Sequence, residues 1–183
     1  KGSTFWFTLP YKAAIAVEES IKKEEIQPIS IEKNKFTILI AEDNESNYKL
    51  FASILKGEYQ LIHAWDGQEA VEMFKQYNPQ IILMDINMPV MNGFEVLKAM
   101  NANHTIEDTP VIMISSEDSD AAIRRSYELG ASDYVNRPFD ARIVSRRVTN
   151  TIKLYAKQRR LVQMVSDQIR ARENNTDMLG GVL

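Results

Sequence analysis

Five short β-rich runs, at residues 37–41, 59–64, 81–85, 110–114 and 133–136, alternate strictly with stretches of helical spacing. Nothing else in the chain restricts its fold so strongly. Apolar runs such as Ile81-Ile82-Leu83-Met84, bounded by turn residues, suit strands buried on both faces. Strands that alternate with helices build a parallel sheet covered on both sides. Right-handed crossovers leave few arrangements, and the strand order 2-1-3-4-5 is the economical one.

The expected fold is therefore α/β: a flavodoxin-like (βα)5 doubly wound parallel sheet of order 2-1-3-4-5, with an extended C-terminal helix. Tyr48, Phe51, Ile54 and Leu55 mark the first helix, closed by Gly57. Ala70, Val71 and Phe74 mark a second over residues 67–77, which stops before Pro79. Phe94, Val96, Leu97 and Met100 mark a third, and residues 121–129 a fourth, closed by Gly130. The last helix starts near Asp140, and no proline or glycine interrupts it through Asn174. That is about 35 residues, or roughly 50 Å at 1.5 Å per residue, more than the domain needs. Ile143, Val144, Val148, Ile152 and Tyr155 are expected on the sheet. Leu154, Leu161, Val165 and Gln168 step by 7, 4 and 3, a short coiled-coil-like seam with one polar position. That seam is either a homodimer surface or a solvated extension. Residues 178–183 read as a stub beyond the helix.

The domain spans residues 36–157, with 158–183 as a helical extension. Residues 11–35 carry mixed charges, scattered apolar residues and Pro28, and read as a linker. A net charge of −3 gives no electrostatic reason for contact with nucleic acid or membrane. The absence of cysteine excludes disulfides and thiolate metal sites. With no signal-peptide pattern and no initial methionine, a soluble fragment of a longer chain is expected.

All strands of a parallel sheet end at one edge, and that edge is where such sheets bind ligands. The residues gathered there are Glu42 and Asp43 after the first strand, Asp85 at the end of the third, Ser115 after the fourth and Asn136-Arg137 after the fifth. Glu42 and Asp43 could also cap the first helix. Three acids so placed repel one another unless a cation is present. Mg²⁺ suits them, since it takes one or two carboxylates and a phosphoryl oxygen. One carboxylate would then be free to attack phosphorus, while Ser115 and a cation steady the product. His63 and His104 have no ligand-like spacing and receive no role.

Four motifs bring a known family into view. They are Ile40-Ala41-Glu42-Asp43-Asn44, Leu83-Met84-Asp85-Ile86-Asn87-Met88-Pro89-Val90-Met91-Asn92-Gly93, Ile114-Ser115-Ser116 and Gly130-Ala131-Ser132-Asp133-Tyr134-Val135-Asn136-Arg137-Pro138-Phe139. From Phe36 to about Tyr155 the chain resembles the receiver domain of two-component response regulators. The resemblance implies that Asp85 is the phosphoacceptor, taking phosphate from a phosphohistidine of a kinase or phosphotransfer domain. It implies Glu42, Asp43, Asp85 and the Asn87 backbone carbonyl as holders of Mg²⁺. It also implies Ser115 as the switch hydroxyl, Tyr134 as the switch aromatic, and Asn87 and Glu117 as positions that tune phosphoryl lifetime. Residues 1–10, Lys1 to Pro10, resemble the last strand of the ATP-binding domain of sensor histidine kinases. A hybrid kinase parent, cytoplasmic in this part and membrane-anchored elsewhere, follows as an expectation.

The chain departs from the family at Arg137, where lysine is usual. Arginine is a planar fork and lysine a compact point charge, so the exchange is not conservative. Arg137 either bridges phosphoryl oxygens bidentately or is too bulky to enter the crevice. Its presence also motivates an alternative, a pseudo-receiver that binds or dimerises without phosphorylation. An aspartate-nucleophile phosphatase is disfavoured, because Asn87 stands where such an enzyme needs a second acid.

Overall fold

Alternate residues of each central strand point to opposite sides, and here both sides are buried. The computed structural model describes residues 36–102, 108–117 and 119–180, with side chains described through Ala171. The expected kinase-like strand at 1–10 and the linker at 11–35 lie outside the described residues. The elements run β1 (Thr37–Ala41), α1 (Glu45–Leu55), β2 (Gln60–Ala64), α2 (Gly67–Tyr77), β3 (Ile81–Asp85), α3 (Gly93–Ala102), β4 (Val111–Ser115), α4 (Asp120–Glu128), β5 (Asp133–Asn136) and α5 (Ala141–Gly180). The sheet is parallel throughout, in the order β2-β1-β3-β4-β5.

One core forms where Leu39, Ala41, Ile82, Met84, Val111 and Met113 meet Ala70, Phe74, Val96 and Leu97 of α2 and α3. The other forms where Ile38, Ile40, Ile81, Leu83, Ile112 and Ile114 meet Phe51 and Leu55 of α1 and Val144, Val148 and Ile152 of α5. The period-2 alternation thus divides each strand between two cores. Each large side chain fully buried in this way contributes about 1.5–3 kcal/mol.

Local chemistry sets the helix ends. Asn44, not Glu42 or Asp43, is the N-cap of α1, its side chain accepting from the Ser46 and Asn47 amides. Both acids are thereby left free for the crevice. Asp66 caps α2 through the Glu69 amide, and Glu69 reaches back to the Trp65 amide at 2.6 Å. Ser119 caps α4 by accepting from the Ala122 amide.

The last helix differs from expectation in three ways. Ile143 is half exposed while Val144, Val148 and Ile152 are buried, because a 100° step carries Ile143 off the contact stripe. Tyr155 is partly buried at the edge, its hydroxyl 3.0 Å from Ser132 Oγ. The backbone stays helical through Gly180, for 40 residues in all, and so runs into the residues expected to be a stub at 178–183. Asparagine lowers helix propensity without breaking the hydrogen-bond ladder. Leu154, Leu161 and Val165 are exposed, as are Val162 and Ile169.

Candidate functional site: an acidic crevice at the strand ends

The parallel register carries the strand ends to one edge. Ala41 lies beside Met84, Asp85 beside Ile114, and Ser115 beside Asn136. Glu42 and Asp43 therefore emerge next to Asp85, across the point where the chain order reverses between β1 and β3. Oxygens of Glu42, Asp43 and Asp85, one from each, lie within 4.8 Å of one another. Glu42 and Asp85 are buried and Asp43 is exposed.

Each oxygen of the two buried acids has a donor. Asn47 Nδ2 donates to Glu42 Oε1 at 2.7 Å, and Arg137 Nη2 donates to Glu42 Oε2. Arg137 Nη1 donates to Asp85 Oδ2 at 3.0 Å, and the Asn87 amide reaches Asp85 Oδ1 at 3.3 Å. Arg137 thus enters the crevice, which removes the expectation that it is too bulky. In this state it bridges two carboxylates. Burial pushes the Glu42 carboxyl above the usual range. The Asn47 hydrogen bond and the Arg137 charge pull it back, and the Asp85 charge pushes it up again.

The flanks are tied to the same edge. The Arg137 amide donates to the Ser115 carbonyl at 2.8 Å, so this cation is anchored to the end of β4. The Arg137–Pro138 peptide is cis. Ser115 is fully buried, and its Oγ accepts from the Glu117 amide at 3.0 Å. Tyr134 is buried, and its hydroxyl donates to the Glu117 carbonyl at 2.6 Å. The Glu117 side chain turns away and accepts from Ser119 Oγ at 3.0 Å. Asn87 is exposed at the mouth. Beyond it, Met91 N donates to Pro89 O at 2.7 Å across Val90, whose φ of 65° is uncommon for a β-branched residue.

Two residues without an expected role also support the acids. One is Asn47, which holds Glu42. The signal available for it was an amide-bearing residue just inside the helix that follows the acid. The other is His63, whose Nε2 lies 2.8 Å from the Glu42 carbonyl. A carbonyl only accepts, so Nε2 carries a proton. The ring stacks on Tyr48 at 3.8 Å and tilts against Trp65 at 4.1 Å. No spacing rule reveals it, because the bond is to main chain.

The oxygen-only donor set fits a hard divalent cation, with Glu42, Asp43 and Asp85 as candidate holders. A doubly wound sheet with three acids, a buried serine and a strand-five cation at its switch point is the architecture of a signal receiver. The model of the response regulator receiver domain matches residues 38–149, and the chain belongs to that family.

Individual relatives agree. The chain is 35% identical over 119 residues to response regulator RR06 of Streptococcus pneumoniae, a match covering 64% of this chain and 54% of that protein. It is 29% identical over 139 residues to hybrid signal transduction histidine kinase D of Dictyostelium discoideum, covering 76% of this chain and 9% of that one. The solved structure of chemotaxis protein CheY4 of Vibrio cholerae is similar with a TM-score of 0.60 and 26% identity, covering 63% of this chain and 98% of that one. The chain spans about half or less of the length of these two sequence relatives. Among the described residues, no helix is long and apolar enough to cross a membrane.

Proposed function

We propose that this chain is the phosphoacceptor module of a two-component phosphorelay, with Asp85 as the accepting residue. The supporting observation is the acid cluster of Glu42, Asp43 and Asp85 at the switch point of a receiver fold. An Asp85 oxygen attacks phosphorus, the P–N bond to the donor histidine breaks, and the imidazole leaves with a proton. A bound Mg²⁺, held by Glu42, Asp43, Asp85 and the Asn87 carbonyl, would neutralise charge on the transferring group. Ser115 donates its hydroxyl to a phosphoryl oxygen, giving up its contact with the Glu117 amide. That exchange moves the β4–α4 segment, whose Glu117 carbonyl holds Tyr134. Asn87 and Glu117 flank the crevice and govern the approach of water to the acyl phosphate.

The wider setting is proposed on the same footing. A receiver at 36–157 follows a linker at 11–35 and a kinase remnant at 1–10, in a hybrid kinase whose receiver faces the cytoplasm. Leu154, at the end of the receiver, and Leu161 and Val165, in the extension at 158–183, form an exposed seam along α5 that meets a second copy.

The test is phosphorylation by acetyl phosphate with Mg²⁺, read by intact mass. The parent gains one hydroxylamine-sensitive phosphoryl group and Asp85→Asn gains none. Equal phosphorylation of the Asp85→Asn protein would sink the assignment.

A further inference from the structure

We infer that Arg137 is an internal plug of the cation site, and that metal enters only as the guanidinium leaves. The inference rests on the reading of this crevice as a divalent-cation site. Arg137 takes one oxygen from Glu42 and one from Asp85, two of the three acids that would hold the metal. The acids are 1% and 5% exposed at the side chain and the guanidinium side chain 19%, so this pairing is largely shielded from solvent. A fork between two carboxylates neutralises them as a bound cation would. A divalent ion between the same oxygens would meet the guanidinium at contact range, where like charges repel strongly in a poorly solvated site. Both cations cannot occupy the gap together.

The geometry limits what must move. The Arg137 main chain stays fixed through its amide bond to Ser115 O at 2.8 Å. Opening the site therefore requires only a side-chain swing, which leaves the guanidinium tethered at the crevice mouth. There it can meet an incoming phosphoryl dianion bidentately. One residue thus closes the metal-free site and becomes a phosphoryl ligand once metal has displaced it. A lysine at this position is a single point charge without the planar two-pronged grip. Bridging, rather than positive charge alone, makes the plug.

The experiment titrates Mg²⁺ by calorimetry into the full 183-residue chain, into Arg137→Lys and into Arg137→Met. Arg137→Lys keeps the charge and removes the fork. Arg137→Met keeps an apolar stem. Both variants are expected to bind Mg²⁺ about tenfold more tightly than the parent, within the usual range of such couplings. Thermal melting by circular dichroism gives a second readout. Without metal, Arg137→Met melts below the parent; at saturating Mg²⁺ the two converge, because the plug no longer holds the acids in either protein.

If Arg137→Lys binds like the parent while Arg137→Met binds more tightly, only net charge matters and the plug is overturned. Equal affinity in all three proteins overturns it too. If none of the three takes up Mg²⁺, the cation-site reading fails and the plug with it, an outcome recognisable by silence in every titration.

Discussion

Asn47 Nδ2 holds Glu42 Oε1 at 2.7 Å from within the first turn of α1, so the cap that starts this helix also positions the most buried acid of the crevice. Asn44 supplies the cap and Asn47 the contact. A change at either therefore reaches both helix stability and carboxylate chemistry.

Glu42 makes stability depend on pH. Its carboxyl is raised chiefly by burial. Between the unfolded glutamate value of about 4.3 and the raised folded value, the native state binds more protons than the unfolded chain. The stability contributed by Glu42 is therefore lost as pH rises through that window. Urea unfolding of metal-free Glu42→Gln is expected to show a flatter profile there. Superimposable profiles would rule out Glu42 as the source.

Asn47→Ala removes a hydrogen bond that lowers the Glu42 pKa. The carboxyl then rises further, and its proton competes better with metal. As pH is lowered, Mg²⁺ affinity is expected to begin falling at a higher pH than in the parent, because the Glu42 proton competes sooner. An affinity unchanged from the parent across pH would show that the Asn47 contact is dispensable.

Asn44→Ala removes an acceptor for two amides of α1 and is expected to cost about 1 kcal/mol in urea unfolding. A change under a few tenths would mean that water replaces the cap in full.

Two glycines hold the loop that follows Asp85. A Cβ at Gly67 would stand 2.0 Å from the Met91 carbonyl oxygen, and one at Gly93 would stand 2.4 Å from the Asp85 carbonyl oxygen. Gly67→Ala and Gly93→Ala are expected to destabilise by about 1–3 kcal/mol or more, since backbone must shift. Gly57 meets nothing within 4 Å, so Gly57→Ala should stay within about 0.5 kcal/mol of the parent. Denaturation of the three side by side checks the contrast.

Replacing Leu161 and Val165 together by Asn tests the α5 seam. If a second copy packs there, sedimentation should shift from dimer to monomer. The receiver melt should hardly move, since both side chains are exposed. An unchanged sedimentation coefficient would remove the homodimer.

Much of this architecture was legible because its sheet is buried on both faces. A strand such as Ile81–Asp85 is apolar at every position but its last, so an acid there announces the edge of the sheet. Convergence of Glu42, Asp43 and Asp85 follows from strand order alone, with no side-chain geometry required. Arg137 was harder to read. Its position was clear, but its partners depend on how a long side chain reaches past the ends of β4 and β3 to Glu42, and residue spacing does not encode that. His63 was illegible for another reason. It sits opposite Ile40 on the neighbouring strand and binds a main-chain oxygen, which every residue type carries. The reading of 178–183 as a stub missed that α5 runs to Gly180, since backbone hydrogen bonds continue through weak helix formers.

The length of α5 has a mechanical meaning. Val144, Val148 and Ile152 clamp its first part to the sheet, and Arg159 still reaches the Asp108 carbonyl. Beyond that residue about 20 more residues continue as helix, a lever arm of roughly 30 Å at 1.5 Å per residue. A tilt of about 5° at the clamp would displace the far end by nearly 3 Å. The helix can thus amplify a small rearrangement near β5 into a displacement as large as a hydrogen bond is long.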